Sequence, residues 1–370
     1  MTDQRPSDAP TSDRPGPMSR RGVLGGTAAA VTAVAGSGCL GGALRSSPDT
    51  LRVGTYKSFV DAPSTSAGAW VKKEFERRHD ATLKWVVNEN EFTSFVQRRK
   101  EGVDLGADAY VGVTPEDLVR ANGTLDDPLF ASFDTGSVRN AENIADEYHF
   151  DPERRVLPTG ASYVCLVYDE RKVSAPPTLD ALTGDSYRDS LLLANPRNTT
   201  TGLLFLLWTI KQKGSDSYLD YWKKLMDNDV RVLGSWSDAY AAYSNGEAPM
   251  VVSYSTDQVY AANNDADMRR HQIGFPNDQG YAYVDGVGKF ATTDRDGLVR
   301  TFAEFLLDPE VQRKTAVKNV GIPTVENASL PEEFRQYAHV PDEPVQFSYD
   351  VLAEHVDEWR DTWAREVASR

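Results

Sequence analysis

Cysteine and histidine are scarce in this sequence, with two cysteines and five histidines in 370 residues. No two of His79, His149, His271, His339 and His355 stand four positions apart, and Cys39 and Cys165 are far apart in the chain. Zinc-type clusters and a disulfide framework are therefore excluded as organising features. A phosphate-binding G-x-x-x-x-G-K-[ST] loop and a G-x-S-x-G nucleophile elbow are both missing. So is any basic excess: Lys and Arg total 40 against 55 Asp and Glu, a formal net charge of −15. That balance speaks against a nucleic-acid surface on the scale of a domain. Long apolar runs are lacking too. The most apolar stretch, near the N-terminus, has about 15 residues rich in Gly and Ala, short of the roughly 20 needed to span a bilayer. We find no internal repeat.

Acid is abundant instead. Aspartate outnumbers glutamate and arginine outnumbers lysine. Such a surface repels itself at low salt and stays soluble at high salt. In this it resembles the acidic proteins of extreme halophiles. Residues 1–17 are polar and proline-rich, and disorder is expected there. Next come Ser19-Arg20-Arg21, the apolar stretch, and Gly36-Ser37-Gly38-Cys39. A positive flank, an apolar core and small residues at the end predict a signal peptide over 1–38. The paired arginines resemble a twin-arginine export signal. Gly38-Cys39 resembles a lipobox, which implies a lipid on Cys39 and a membrane-anchored chain. Residues 39–50 read as a flexible tether.

From residue 51 the pattern becomes that of a globular α/β protein. Strands are predicted at 51–56, 83–87 and 109–113, with helices at 70–79 and 92–100 between them. A second unit follows, with strands at 163–168, 191–194 and 250–254 and helices at 202–213, 217–227 and 236–246. A strand at 281–289 returns to the first unit, and the remainder is mostly helical. We expect lobe 1 over 51–160 and 284–370 and lobe 2 over 161–283. The chain would cross between them near 158–163 and 279–287. In such sheets ligands sit beyond the carboxyl ends of the strands, so a cleft between hinged lobes is the expected site.

The residues gathered at those ends are aromatic and hydroxylic. Tyr56 follows the first strand and Asn90 the second. Thr199 and Thr200 precede a long helix, whose N–H groups suit an anion or polar ligand. Trp236 opens another helix, and Tyr254, Ser255, Thr256, Asp257 and Tyr260 cluster after the strand at 250–254. Aromatic faces hold flat rings and attract cations at roughly 0.5–2 kcal/mol each. A planar, cationic or phosphorylated small molecule fits this set. Cys165 lies within the apolar run 163–168 and reads as a small buried hydrophobe.

Over residues 51–370 the chain resembles the thiamine-binding extracytoplasmic proteins of ABC importers. The resemblance rests on ordered segments, among them Tyr56-Lys57-Ser58-Phe59, Asn195-Pro196-Arg197, Trp236-Ser237-Asp238-Ala239-Tyr240 and Ser253-Tyr254-Ser255-Thr256. It implies a two-lobed periplasmic-binding-protein fold of type II and thiamine or its phosphates as ligand. It also implies an ABC permease with its ATPase subunit as partners. By position it implies ring contacts from Tyr56, Trp236, Tyr254 and Tyr260. Thr199 and Thr200 would hold the hydroxyethyl or phosphate end. Ser255, Thr256 and Asp257 would supply polar contacts, with Asn90 at the aminopyrimidine. The chain departs from the family at four places. Asn90 stands where an acid is common and Asp257 where serine is common, and aromatics are missing at Val320 and near Thr65.

The expected function is capture of thiamine or a thiamine phosphate by a lipid-anchored, monomeric, non-enzymatic binding protein. No cofactor, metal or nucleic acid is expected. The alternatives are capture of another small cation, polyamine-like or iron, or a thiamine-degrading enzyme of the same fold using Cys165.

Overall fold

The computed structural model describes residues 50–61 and 66–367. The signal segment, Cys39, the tether up to residue 49 and Thr65 lie outside the described residues. The first unit runs β1 (Thr50–Thr55), α1 (Lys57–Val60), α2 (Ala67–Arg78), β2 (Thr82–Val86), α3 (Glu91–Lys100), β3 (Ala109–Val113), α4 (Pro115–Thr124) and the short β4 (Phe130–Ala131). A long strand, β5 (Val156–Tyr168), leads into β6 (Leu191–Ala194), α5 (Thr200–Lys213), α6 (Tyr218–Asp227), β7 (Arg231–Leu233), α7 (Trp236–Ser244), β8 (Met250–Tyr254), α8 (Asp257–Asn263) and β9 (Gln272–Gly274). A second long strand, β10 (Gln279–Phe290), returns to α9 (Asp296–Leu306), α10 (Pro309–Lys318), α11 (Glu332–Arg335), β11 (Glu343–Val345) and α12 (Tyr349–Glu366).

The main sheet has the order β2-β1-β3-β10-β5-β8-β6-β7. Strands β1, β2 and β3 are parallel to one another, as are β6, β7 and β8. Between the two sets, β5 and β10 pair antiparallel from Tyr281↔Val164 to Gly288↔Val156. Both strands therefore serve both halves. β5 begins earlier than the predicted strand at 163–168.

Side-chain alternation puts helices on both faces. On β5, Val164 and Leu166 enter one core cluster with α5, α6 and the C-terminal helix, while Cys165 and Val167 enter another with α7. In the first half, Ala109 and Val111 face α2 and α9, and Tyr110 faces α3.

The C-terminal helix corrects one expectation. Leu352, Val356, Trp359, Trp363 and Val367 form a stripe at helical spacing. That stripe packs into the second half's core, with Trp363 edge-on to Trp222 at 5.2 Å. The same helix also packs against α4 of the first half: Val119 joins that core cluster, and Asn122 Nδ2 donates to the Tyr349 hydroxyl at 2.6 Å. Residues 349–367, expected in lobe 1, thus lie against both α4 of the first half and the core of the second.

Candidate functional site

Where β1 ends, Tyr56 turns its ring onto the backbone of Gly112. A Cβ at Gly112 would lie 2.5 Å from that ring, and Gly112 has φ +103°, so only glycine lets the ring settle there. The Tyr56 hydroxyl accepts from Asn319 Nδ2 at 2.9 Å, just beyond α10. Burial, then the nearby Asp285 carboxylate, push this phenol well above its ordinary pKa.

Asp285 lies in the middle of β10 beside a register shift in its pairing with β5, and is 5% exposed. One carboxylate oxygen accepts from the Tyr283 hydroxyl at 2.7 Å, the other from Thr159 at 3.5 Å. Burial pushes its carboxyl up to about 6. Glu116, in the first turn of α4, is raised to about 7 by burial. It and Asp285 both act on Tyr254, whose hydroxyl is pushed up to about 12, chiefly by burial. A cavity of about 30 Å³ lies behind Tyr56, lined by Thr159, Gly160, Asp285 and Asn319 among others. It is large enough for a water but not for a ring.

The opposite wall comes from the second half. Tyr254, at the end of β8, meets Tyr283 at 5.3 Å and Trp236 at 6.4 Å between ring centres. Its hydroxyl bonds that of Thr201 at 2.8 Å. Trp236 opens α7, where the Ser235 hydroxyl accepts from the Asp238 N–H. The indole Nε1 donates to Ser253 Oγ at 3.2 Å, and Tyr240 lies against the ring at 5.0 Å. Tyr56, Tyr254 and Tyr283 thus stand around the buried Asp285 carboxylate, which has no cationic partner among the described residues, and Trp236 adjoins Tyr254. Such a site suits a flat cation.

The bacterial extracellular solute-binding protein family matches residues 70–342. The chain belongs to that family. The thiamine-binding periplasmic protein of Escherichia coli (strain K12) is 29% identical to it over 86% of this chain and 93% of that protein. The thiamine-binding periplasmic protein of Haemophilus influenzae is 25% identical over 87% and 93%. A solved periplasmic thiamin binding protein superposes with a TM-score of 0.74 at 26% identity, covering 86% of this chain and 96% of that one. The ferric binding protein from Campylobacter jejuni superposes at 0.70 with 15% identity, a likeness of fold. The architecture is the two-lobed, type II periplasmic-binding-protein fold.

In this solute-binding protein, Tyr56, Trp236 and Tyr254 belong to the ring-lined region. Other expected residues are differently placed. Asn90 is exposed, at the start of α3. The acid beside it, Glu91, takes φ +43° and accepts the Lys57 N–H at 2.8 Å, next to Tyr56. Thr199 caps α5: its hydroxyl accepts from the Gly202 N–H and donates to the Asn195 carbonyl at 2.8 Å. Thr200 is exposed, and Thr201 is the hydroxyl that reaches Tyr254. Replacing Thr199 with Ala is expected to lower stability by about 1 kcal/mol through the lost cap, read as a lower urea midpoint.

Ser255 is fully buried and its hydroxyl has no hydrogen-bond partner among the described residues. Thr256 donates to the Val320 carbonyl at 2.6 Å and lies 3.1 Å from Ser162 Oγ, so it ties α8 to β5 and to the segment after α10. Both Asp257 oxygens are occupied, by Tyr240 at 2.5 Å and by His271 at 2.7 Å. Asp257 is therefore engaged as an internal anchor, with a partner on each oxygen. Tyr260 stands beyond Tyr240, 6.3 Å away between ring centres. Cys165 is fully buried beside Val167, Val251 and Leu192, and burial, then Asp257, push its thiol well above the usual range. A thiolate nucleophile does not fit that setting.

Tyr283, Asp285, Glu91 and Glu116 are not among the residues expected from the sequence, and Thr201 stands in the expected hydroxyl run beside Thr199 and Thr200. One signal was readable: Asp285 is an acid inside an otherwise apolar predicted strand, at a predicted crossing.

Proposed function

We propose that this family member captures thiamine or a thiamine phosphate by closure of its two lobes and delivers it to an ABC import permease. The observation that carries the ligand reading is the buried Asp285 carboxylate ringed by Tyr56, Tyr254 and Tyr283. A thiazolium is flat and permanently charged, so it would stack on such rings while neutralising the acid. Relatives named for thiamine binding, matched over nearly their whole length, support the same ligand. A phosphate tail would be met by the N-terminus of α5 at Thr199 and Thr200. Under this reading the chain is exported by its paired arginines, held outside the membrane by a lipid on Cys39, and works as a monomer.

Calorimetric titration of the chain lacking residues 1–38 with thiamine, its mono- and diphosphate, and spermidine tests the ligand. Heat of binding with a thiamine form is expected. No heat with any of them would sink the thiamine assignment, and heat with spermidine alone would favour the polyamine reading. The acid-lined site leaves that second reading open, because it too meets positive charge.

A further inference from the structure

Asp257 and His271 both lie behind the ring wall. Asp257 opens α8 and is 6% exposed. Its Oδ1 accepts the Tyr240 hydroxyl at 2.5 Å and its Oδ2 meets His271 Nδ1 at 2.7 Å. The Tyr240 hydroxyl also lies 3.4 Å from His271 Nδ1, so the three side chains close on one another. The far end of this cluster is the Tyr240 ring, whose centre is 5.0 Å from that of Trp236, tilted by 33°. Besides Tyr240, the Trp236 indole meets Ser253 Oγ through its Nε1 and the Tyr254 ring at 6.4 Å.

We propose that Asp257, His271 and Tyr240 form a brace that fixes the Trp236 ring in its ligand-stacking position. The three are positioning residues; none contacts the ligand. The proposal rests on the reading of Trp236 as a ligand wall.

A hydrogen bond to a buried carboxylate is among the stronger ones, and Asp257, 6% exposed, takes its partners from Tyr240 and His271. Tyr240 is a rigid lever: two rotatable bonds separate its backbone from its hydroxyl. Fixing the hydroxyl fixes the ring plane, and the ring plane limits the rotamers open to Trp236. The ionisable groups around the cluster come from several elements. Tyr243 comes from α7, Tyr260 from α8 and Cys165 from β5, and Arg270 lies next to His271 with its guanidinium over Tyr243 at 5.7 Å.

The test uses Tyr240→Phe, which keeps the ring on Trp236 and removes only the anchored hydroxyl, and Asp257→Asn, which can still accept from Tyr240. The Trp236 indole N–H is followed by proton–nitrogen NMR in ligand-free protein, assigned with Trp236→Phe. Thiamine affinity and dissociation rate are measured in parallel. In Tyr240→Phe the indole signal is expected to shift and broaden, with thiamine leaving three- to tenfold faster. In Asp257→Asn, where the charge-assisted bond to Tyr240 becomes a weaker neutral one, a smaller change of both in the same direction is expected. An unchanged indole signal in Tyr240→Phe would overturn the brace. So would equal dissociation rates in a parent that binds thiamine. If the parent binds no thiamine, the ligand reading fails by itself and the ligand-free NMR result still decides the brace.

Discussion

Asp285→Asn is expected to make the ligand-free protein more stable while weakening binding of a thiamine-like cation about a hundredfold, or ~2.7 kcal/mol. The two effects share one cause. Burial raises the Asp285 carboxyl to about 6, against roughly 3.9 for an unfolded aspartate. The folded protein therefore holds this proton more tightly than the unfolded chain. Its stability contribution is most favourable below pH ~4 and declines as pH rises through about 6. Above that, the uncompensated charge costs on the order of 1–3 kcal/mol, which the amide removes. An Asn would still accept from the Tyr283 hydroxyl, so the packing survives. A bound cation relieves the same penalty, worth up to ~4 kcal/mol for a pair 4 Å apart at an effective dielectric of 20. Thermal unfolding at pH 5 and 7.5 together with calorimetry reads both arms. The variant's gain should appear at pH 7.5 and fade at pH 5, and the parent's affinity should rise with pH over that interval. A variant that is less stable at pH 7.5 and binds as well as the parent would refute the counter-charge role.

Trp236→Ala is expected to weaken the same binding at least tenfold, with Trp236→Phe intermediate. The indole offers the largest face in the site, and loss of a cation–π contact of roughly 0.5–2 kcal/mol adds to the lost ring burial. Because Trp236 is only partly buried, the unfolding temperature should fall far less than the affinity. Calorimetry beside thermal unfolding separates these. Unchanged affinity would remove Trp236 from the ligand wall.

Much of this architecture was legible as sequence because period-2 apolar runs and helical stripes survive in the bare order of residues. What failed was long-range. The stripe of α12 is plain at Leu352, Val356, Trp359 and Trp363, but nothing local says that Trp222 is its partner. Pro158 and Gly160 look like turn residues, yet they lie within β5 because β10 pairs along its length. Thr199 and Thr200 were the obvious hydroxyls before a helix. Capping occupies the first, the second faces solvent, and the third meets the ring. Asp257 looked available until His271, fourteen positions on in the chain, folded back onto it. Asn90 and Glu91 differ by one place, and a positive φ decides which of them turns toward Tyr56.

Asp285 sits on β10, which pairs with β3 of the first half and with β5 along the seam. Under the proposed lobe closure, a residue on the seam would lie near the axis of swing and would travel least on opening. Tyr254 and Trp236, carried by the second half, would travel more. Charge would then be offered to an arriving solute at all stages of opening, and ring faces only at the last. Arrival should accordingly respond to ionic strength, and departure to the aromatic side chains.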